Sequence, residues 1–472
     1  MLRPPVQHAE PVPDADQPPV GWGFRVVVAV TAAVVAVAIS PPTLADDAAI
    51  SFRYATRLAT GAGLTYDDHE RVLGVSNALY TLVLAGFDRL GVSPPTAARL
   101  LGVLAVAGAA VLTAELSGRL AGRRAAVVGA ALLLVAAPFV GLATSGLESG
   151  LAVVLGLGAF LAVVTDRRGL AGVLVGLALV NKLDAGLLLV SLAGTAAALE
   201  RRPPWRLVGV AVLTALPWFV LSTAVYGSPL PRSLTSKLAG NATPDGYDLD
   251  PTWAARLLGP AIALLAVAAV LSWIATPDRR RRAVTGGLLA WAGLQLLAAS
   301  TLPLGGEYGW YLTVVIPPLA VAGGIAATEV DRPPAGVRQA VVAIALVLAA
   351  GWGVTSTARD AFDRGPDAGD LLERDRIAAG RWLAEHAAPG DVVDTCFGWV
   401  AYEAFDLPVA DRCGLTTDRS PGTPAFTVET PAGDGEDCPA GTSVAVVFDS
   451  AARSDPDQPR LAVCRAMLSD HD

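Results

Sequence analysis

Long apolar runs separated by short polar connections dominate the chain. The first run extends from about Gly23 to Ser40, and the next clear run extends from about Thr96 to Leu116. Because a membrane-spanning helix needs roughly 20 predominantly apolar residues, the pattern predicts an α-helical polytopic membrane protein with about eleven transmembrane helices.

Arginine clusters punctuate these runs and alternate with connections that contain few basic residues. The clusters are Arg119 with Arg123 and Arg124, Arg167 with Arg168, Arg201 with Arg202 and Arg206, Arg279 to Arg282, and Arg332 with Arg338. Since short cytoplasmic loops are enriched in arginine and lysine, the alternation predicts a bacterial cell-membrane protein with a cytoplasmic tail (residues 1–22), a transmembrane body (23–357) and an extracytoplasmic C-terminal domain (358–472).

Several shorter segments have their own periodicity. Within the large first outer loop, residues 43–95, SFRYATRLATG and SNALYTLVLAGFDRLG have helical apolar spacing with charged residues on the other side, which predicts helices lying in the membrane interface. Gly169–Val180 and Lys182–Glu200 are short for spans and are interpreted as a half-length pair. In the last segment, the helical pattern RDRIAAGRWLAEHA followed by the strand-like DVVDTC and TSVAVVFDS predicts a small α/β domain.

Composition narrows the class of protein further. The mean hydropathy is +0.50, and the net charge of −8 argues against nucleic-acid binding. All four cysteines lie after the last apolar run, which indicates an oxidising compartment and two disulfides. Among the three pairings, proximity in sequence favours Cys396 with Cys413 and Cys438 with Cys464.

Asp46 and Asp47 lie where the first apolar helix ends. Two adjacent carboxylates can divide labour, one accepting a proton from a substrate hydroxyl while the other orients a group or holds a cation. We favour Asp47 as the base and Asp46 as its partner. The alternative is structural: Asp46 as the N-cap of the next helix and Asp47 in its first turn.

Both lysines of the chain, Lys182 and Lys237, fall in connections predicted to lie outside. Lys237 and Arg232 share the segment YGSPLPRSLTSK, and such a pair is suited to a phosphate, lysine as a point charge and arginine as a bidentate fork. Lys182 is a further candidate for binding the phosphate. The structural alternatives are an ion pair between Lys182 and Asp184 that makes burial tolerable and a solvated loop charge at Lys237.

Two lone acids and one histidine complete the candidates. Glu148 in ATSGLES and Glu307 in LPLGGEYGWY lie at similar predicted depths and are candidates for binding a sugar or a cation. The neighbouring Trp310 and Tyr311 are typical of an interfacial aromatic belt. His69 lies among acids in TYDDHERV, where a structural role is the commoner one. The cysteine spacing does not suit zinc, and a requirement for a divalent cation is left open.

A family resemblance rests on an ordered set of segments. DDAAISFRY, GAGLTY, ERVLGVSNALY, ATSGLE, YGSPLP and DLPVADRCGLT follow one another along the chain. In that order they resemble the GT-C superfamily of membrane glycosyltransferases, most closely the branch of cell-wall arabinofuranosyltransferases. The chain departs from the family at Leu73, where an acid is common, and at Lys182-Leu183, where an Arg-Pro pair is common.

The resemblance implies a specific reaction. It implies inverting transfer of a sugar, arabinofuranose for this branch, from a polyprenyl-phosphate donor to an envelope glycan outside the cytoplasm. It also implies that Asp46 or Asp47 is the general base and that Lys237 or Arg232 meets the donor phosphate. The departures leave a polyprenyl-phosphate-mannose donor open. A transporter or flippase for a lipid-linked sugar is the alternative of another class; it predicts ionisable residues at the bilayer midplane, whereas here they collect at the predicted outer interface.

Overall fold

The computed structural model describes most of the chain. The described residues are 20–238, 253–301, 309–328, 336–362, 368–413, 416, 422–429, 438–439, 442–448 and 460–466.

Seventeen helices and five strands lie within these ranges. The first eleven helices are α1 (Trp22–Ile39), α2 (Asp46–Thr60), α3 (Ala78–Arg89), α4 (Pro94–Ala121), α5 (Arg123–Leu134), α6 (Ala137–Ala143), α7 (Ser149–Val164), α8 (Arg168–Asn181), α9 (Ala185–Glu200), α10 (Trp205–Tyr226) and α11 (Arg232–Leu238). The others are α12 (Trp253–Ala275), α13 (Arg279–Thr301), α14 (Ile316–Ala326), α15 (Val337–Phe362), α16 (Ala368–His386) and α17 (Gly398–Glu403), with a 3-10 turn at Gly309–Leu312.

Three of the described helices, α1, α4 and α10, are long and apolar enough to cross a membrane. The pair α5 and α6, bent by 68°, makes a fourth span if it is counted as one. Six shorter apolar stretches accompany them, among them α7, α8 and α9. With 14 residues, α8 is about 21 Å long, shorter than the roughly 30 Å hydrocarbon core. Eleven transmembrane helices therefore remain a prediction.

Consecutive arginines at the start of α13 bind the ends of three other helices. The last carbonyls of a helix have no partner within it, and a cation near that end interacts favourably with the helix dipole. Arg279, Arg280 and Arg281 donate to the backbone oxygens of Ala198, Val164 and Leu120, at 2.5, 2.6 and 2.9 Å. The C-terminal ends of α4, α7 and α9 therefore lie at the same face of the body as the start of α13.

The segments predicted as interfacial helices form α2 and α3. Instead of lying with one face in water, α2 is covered on both sides. Its Ala48 and Phe52 pack in a buried cluster with Leu84 of α3 and Ala97 of α4, and Trp399 of α17 closes the cluster from the other side. This layer of α2 and α3 joins the helical body to the C-terminal domain.

The C-terminal domain is the small α/β unit that the sequence predicts. Its mixed sheet has the strand order β2-β1-β3-β5-β4. The strands are β1 (Val392–Thr395), β2 (Val409–Asp411), β3 (Pro424–Glu429), β4 (Thr442–Phe448) and β5 (Leu461–Ala466). β1 pairs in parallel with β2 and β3, whereas β5 pairs antiparallel with β3 and β4. The disulfides Cys396–Cys413 and Cys438–Cys464 confirm the predicted pairing.

Candidate active site

The two adjacent aspartates point to different parts of the molecule. α2 begins at Asp46, and its N-cap is Ala45, so the alternative of Asp46 as the N-cap of this helix is wrong. Neighbouring residues of a helix diverge by about 100° around its axis. Asp47 lines a cavity, whereas the Asp46 carboxylate is held by backbone N–H groups of α17.

The cavity, which we call the Asp47 cavity, has a volume of about 140 Å³. It lies where α2 and residues 74–77 meet α11, the 3-10 turn and the connections before α7 and α9. Its polar lining comes from Asp47, Ser51, Asn77, Glu148, Lys182, Asp184 and Ser233, and its apolar lining includes Ile50, Leu147, Leu234, Trp310 and Tyr311. Trp310 and Tyr311 thus line the cavity, and their interpretation as part of an interfacial belt stays a prediction.

A buried ion pair forms one wall of the Asp47 cavity. Lys182 Nζ lies 3.1 Å from Glu148 Oε1, and both side chains are 7% exposed. The Asn77 side-chain amide donates to Glu148 Oε2 at 2.9 Å, while its own oxygen accepts from Ser51 Oγ at 3.1 Å. Lys182 and Asn77 thus hold the two oxygens of the Glu148 carboxylate, and Ser51 fixes Asn77 in turn.

The Lys182 ammonium also contacts the Tyr311 ring, at 4.7 Å from its centroid. The lysine therefore combines an ion pair with a cation–π contact. Its partner is Glu148, so the predicted ion pair with the neighbouring Asp184 is wrong. The Asp184 carboxylate instead accepts a hydrogen bond from Gln295 Nε2 at 2.8 Å.

The other predicted site residues lie in different places. The Arg232 backbone N–H donates to the Leu73 carbonyl at 2.7 Å, which ties α11 to the rim of the Asp47 cavity. Lys237 belongs to the same short helix, but its side chain lies outside the described residues. His69 lies 3.5 Å from Asp67 and does not line the cavity. Glu307 lies outside the described residues.

Asp46 anchors the C-terminal domain. Its carboxylate accepts the backbone N–H groups of Gly398 at 2.8 Å and Trp399 at 3.0 Å. These belong to the first turn of α17, where N–H groups lack partners within the helix. A side chain 352 positions away in sequence thus caps α17. Close approach requires Gly398, because a Cβ there would lie 2.3 Å from the Asp46 carbonyl oxygen.

Two further charged side chains, Arg53 and Asp67, bind backbone groups of the same domain. Arg53 is fully buried, and its guanidinium donates to the carbonyls of Tyr66, Ala401 and Leu407. Asp67 accepts the N–H of Val409 at 2.6 Å. We call the contact made by Asp46, Arg53 and Asp67 with residues 398–409 the docking surface.

Glu373 of α16 lies behind the docking surface. Its carboxylate accepts the Asp46 backbone N–H at 3.2 Å and a hydrogen bond from Arg376 at 3.1 Å. Burial and the neighbouring Asp46 carboxylate raise the pKa of Glu373 to about 7, although Arg376 acts in the opposite direction. The protonation of Glu373 is therefore linked to the docking of the domain.

The acids of the Asp47 cavity do not fit a three-carboxylate metal site. Among the described residues, one group of three metal-ligating side chains is close enough to bind a single metal ion. It consists of Cys396, Asp411 and Cys413. Its two sulfurs are joined in a disulfide and are not thiolate ligands. Asp47, Glu148 and Asp184 line one cavity without forming such a group.

Sequence reasoning missed Asn77, Arg53 and Glu373. Arg53 follows Asp46 at helical spacing, and the resulting charged stripe is typical of a solvated face. Asn77 carried a weak signal, because it directly precedes the helical run ALYTLVLAG. For Glu373 the sequence carried no signal, because no local pattern indicates which face of α16 is buried.

No family model and no curated protein matches the sequence. The structure is similar to ArnT from Cupriavidus metallidurans bound to undecaprenyl phosphate, with 15% identity, a TM-score of 0.59, and coverage of 94% of this chain and 98% of that one.

It is also similar to the oligosaccharyltransferase AglB from Archaeoglobus fulgidus in complex with an inhibitory peptide and a dolichol-phosphate, with 13% identity, a TM-score of 0.58, and coverage of 87% and 70%. For the apo form of an oligosaccharyltransferase from the same organism the identity is 12%, the TM-score is 0.55, and the chain covers 82% of its own length and 64% of that chain. TM-scores of 0.55 to 0.59 at identities of 12 to 15% establish a shared fold with these proteins.

Proposed function

We propose that this chain is an inverting glycosyltransferase that moves a sugar from a polyprenyl-phosphate donor to a glycan acceptor of the cell envelope, outside the cytoplasm. The observation that carries the proposal is a carboxylate, Asp47, in the same cavity as the buried Lys182–Glu148 pair. The fold supports it, because solved relatives are bound to undecaprenyl phosphate or to dolichol-phosphate. Arabinofuranose, from the sequence resemblance, is the proposed sugar.

In this proposal Asp47 is the general base. The acceptor hydroxyl oxygen attacks the anomeric carbon of the donor as its proton passes to the Asp47 carboxylate. The bond between that carbon and the phosphate oxygen breaks, and polyprenyl phosphate leaves with the electron pair. A positioned base adds about 10²- to 10⁴-fold to such a step.

Lys182 is proposed to stabilise the negative charge on the departing phosphate. Of the cations whose side chains are described, it is the one that lines the Asp47 cavity. Arg232 and Lys237 are proposed to contribute from α11, whose Ser233 and Leu234 line the same cavity. Glu148 is proposed to set the position of the ammonium and to reach a sugar hydroxyl.

Asp46 is proposed as a positioning residue. Its carboxylate fixes the first turn of α2 to α17, and this turn carries Asp47. Loss of the Asp46 anchor is expected to reduce turnover less than loss of the Asp47 carboxylate and to loosen the docking surface.

Turnover of a radiolabelled polyprenyl-phosphate sugar by the purified protein tests the proposal. Asp47→Asn keeps the size of the side chain but removes the proton acceptor, so turnover should fall about 10²-fold or more with unchanged folding. Asp46→Asn is the matched control: it should lower the unfolding temperature and retain most of the turnover. Near-wild-type turnover of Asp47→Asn removes the mechanism, and binding of the donor without any transfer favours a transporter.

The proposed topology places the N-terminus in the cytoplasm and residues 358–472 outside it. The docking surface supports the second half, because it joins the C-terminal domain to the first outer loop. A reporter fused after Thr357 should behave as exported, and a cytoplasmic signal there contradicts the topology.

A further inference from the structure

A second cavity lies far from the Asp47 cavity, between α1, α4, α7 and the connection into α8. We call it the Arg25 cavity. Its volume is about 280 Å³, and it is lined by Arg25, Arg119, Arg167 and Glu115 together with apolar side chains that include Val111, Leu112, Leu161 and Leu170.

Charge in the Arg25 cavity is unbalanced. Glu115, which is 5% exposed, is bonded by Arg25 Nη2 at 3.1 Å and by Arg119 Nε at 2.8 Å. One carboxylate faces three guanidinium groups, so the lining carries an excess of two positive charges. Arg25 Nε is buried and has no hydrogen-bond partner. The Arg25 side chain as a whole is 35% exposed, and Glu115 Oε2 is likewise buried without a hydrogen-bond partner. An anion in the cavity would supply an acceptor for Arg25 Nε.

The position of the Arg25 cavity along the helices matches a lipid headgroup. Trp22, three residues before Arg25, is 77% exposed, as is typical of a side chain at the membrane–water boundary. Glu115 lies 21 residues beyond Pro94, the first residue of α4. At 1.5 Å per residue this is about 31 Å along the helix axis, so the cavity lies at the other end of α4 from α2.

The lining is amphipathic in the way that a phospholipid requires. The arginines lie at the helix ends, while Val111, Leu112 and Leu161 continue the surface along the helices. On α8, Leu170 is 45% exposed at the edge of the cavity. A phosphate at the arginines would therefore have apolar side chains beside its acyl chains.

We propose that the Arg25 cavity binds the phosphate headgroup of an anionic membrane phospholipid. Arg25 and Arg167 are the main contacts, and Glu115 holds Arg25 and Arg119 in place. Basic pockets between transmembrane helices are suited to such headgroups, and the planar guanidinium fork matches the phosphate oxygens. Both inorganic phosphate and a lipid offer this chemistry; the apolar lining favours the lipid.

The experiment uses the full chain in neutral detergent, titrated with phosphatidylglycerol, phosphatidylcholine or inorganic phosphate. Lipid retention is measured by native mass spectrometry, and the unfolding temperature is followed in parallel. Phosphatidylglycerol should bind and stabilise the protein, whereas the other two should not. Equal binding of the two lipids contradicts the proposal, and equal binding of inorganic phosphate replaces it with a free-phosphate site.

Variants locate the site. Arg25→Gln and Arg167→Gln should each weaken phosphatidylglycerol binding about fivefold, the equivalent of about 1 kcal/mol per arginine. Arg202→Gln is the matched control: Arg202 is 78% exposed beside Glu200, which bonds Arg168 at the same end of the helices. If Arg25→Gln fails to fold, phosphatidylglycerol binding is compared between the wild type and Arg167→Gln, because Arg167 is exposed. Wild-type binding by Arg167→Gln overturns the assignment, as does an equal loss in Arg202→Gln.

Discussion

The Asp47 cavity and the docking surface are neighbours along α2, yet their charged residues are partnered in opposite ways. At the docking surface, Asp46, Arg53 and Asp67 all bind backbone groups of the C-terminal domain. In the Asp47 cavity, Lys182, Glu148 and Asn77 bind one another's side chains around an open space.

This difference distinguishes charged side chains with a structural role from charged side chains that are candidates for a catalytic role. A backbone N–H or carbonyl fixed in a turn cannot follow a moving ligand, so a side chain saturated by such groups is a structural anchor. Side chains paired with one another beside a cavity can exchange a partner for a substrate atom at lower cost. Asp46 therefore belongs with the anchors, whereas Asp47 lines the cavity in which we propose that the chemistry takes place.

The largest expected effect breaks the buried pair of the Asp47 cavity. Lys182→Met leaves the Glu148 carboxylate buried without its cation, which should destabilise the fold by about 3–5 kcal/mol. The double variant Lys182→Met/Glu148→Gln removes both charges and should recover most of that loss. Thermal unfolding of the single and double variants measures the coupling.

Activity of the double variant then decides the role of Lys182. Because Glu148 is itself proposed to reach a sugar hydroxyl, the double variant is compared with Glu148→Gln alone. If the lysine only neutralises Glu148, the double variant should turn over at least as fast as Glu148→Gln; if it meets the donor phosphate, the double variant should be slower. Arg381→Met is the control for losing an ion pair, since Arg381 is 65% exposed beside Glu403 and its loss should cost less than about 1 kcal/mol.

A smaller effect is expected at the docking surface. Arg53→Lys keeps the charge but loses the fork that reaches three carbonyls. The lysine can still donate to some of these carbonyls. Leaving one buried carbonyl without a donor costs about 1–3 kcal/mol, so the domain should become sensitive to protease near residues 398–409. The control is Arg89→Lys, at an exposed position at the end of α3; the protease should cleave this variant at the same rate as the wild type. Equal protease resistance of both variants means that Arg53 is not an anchor.

The local features of this molecule were predictable from the sequence. Periodicity located α2 and α3, proximity in sequence pointed to Cys396–Cys413 and Cys438–Cys464, and the acid pair included Asp47, which lines the Asp47 cavity. Each of these signals lies within a window of about 30 residues, where spacing alone carries the information.

The long-range partners were not predictable. The stripe formed by Asp46 and Arg53 has the polarity of a solvated face, but in the structure a domain more than 340 residues later covers it. Likewise, Lys182 is closer in sequence to Asp184 than to Glu148, yet its ion pair is made with Glu148. Periodicity shows that a face is polar; it does not show whether water or another backbone satisfies it.

The smallest predicted effect concerns Glu373 and the pH dependence of docking. In the unfolded chain a glutamate has a pKa near 4.3, whereas burial and Asp46 raise the pKa of Glu373 to about 7 in the folded protein. The folded state therefore favours the protonated form. The contribution of Glu373 to stability is fully present below about pH 4 and is lost as the pH rises through about 7. Between pH 5 and 8 the free energy of unfolding should fall by about 2 kcal/mol, less than the full shift allows because part of the shift titrates below pH 5. Glu373→Gln mimics the protonated carboxyl and should flatten this part of the profile, raising the unfolding temperature at pH 8 relative to the wild type.

The control is Glu385→Gln, on the exposed face of the same helix, which should leave the pH profile of unfolding unchanged. An unfolding profile of Glu373→Gln that parallels the wild type between pH 5 and 8 would show that protonation of Glu373 is not linked to docking.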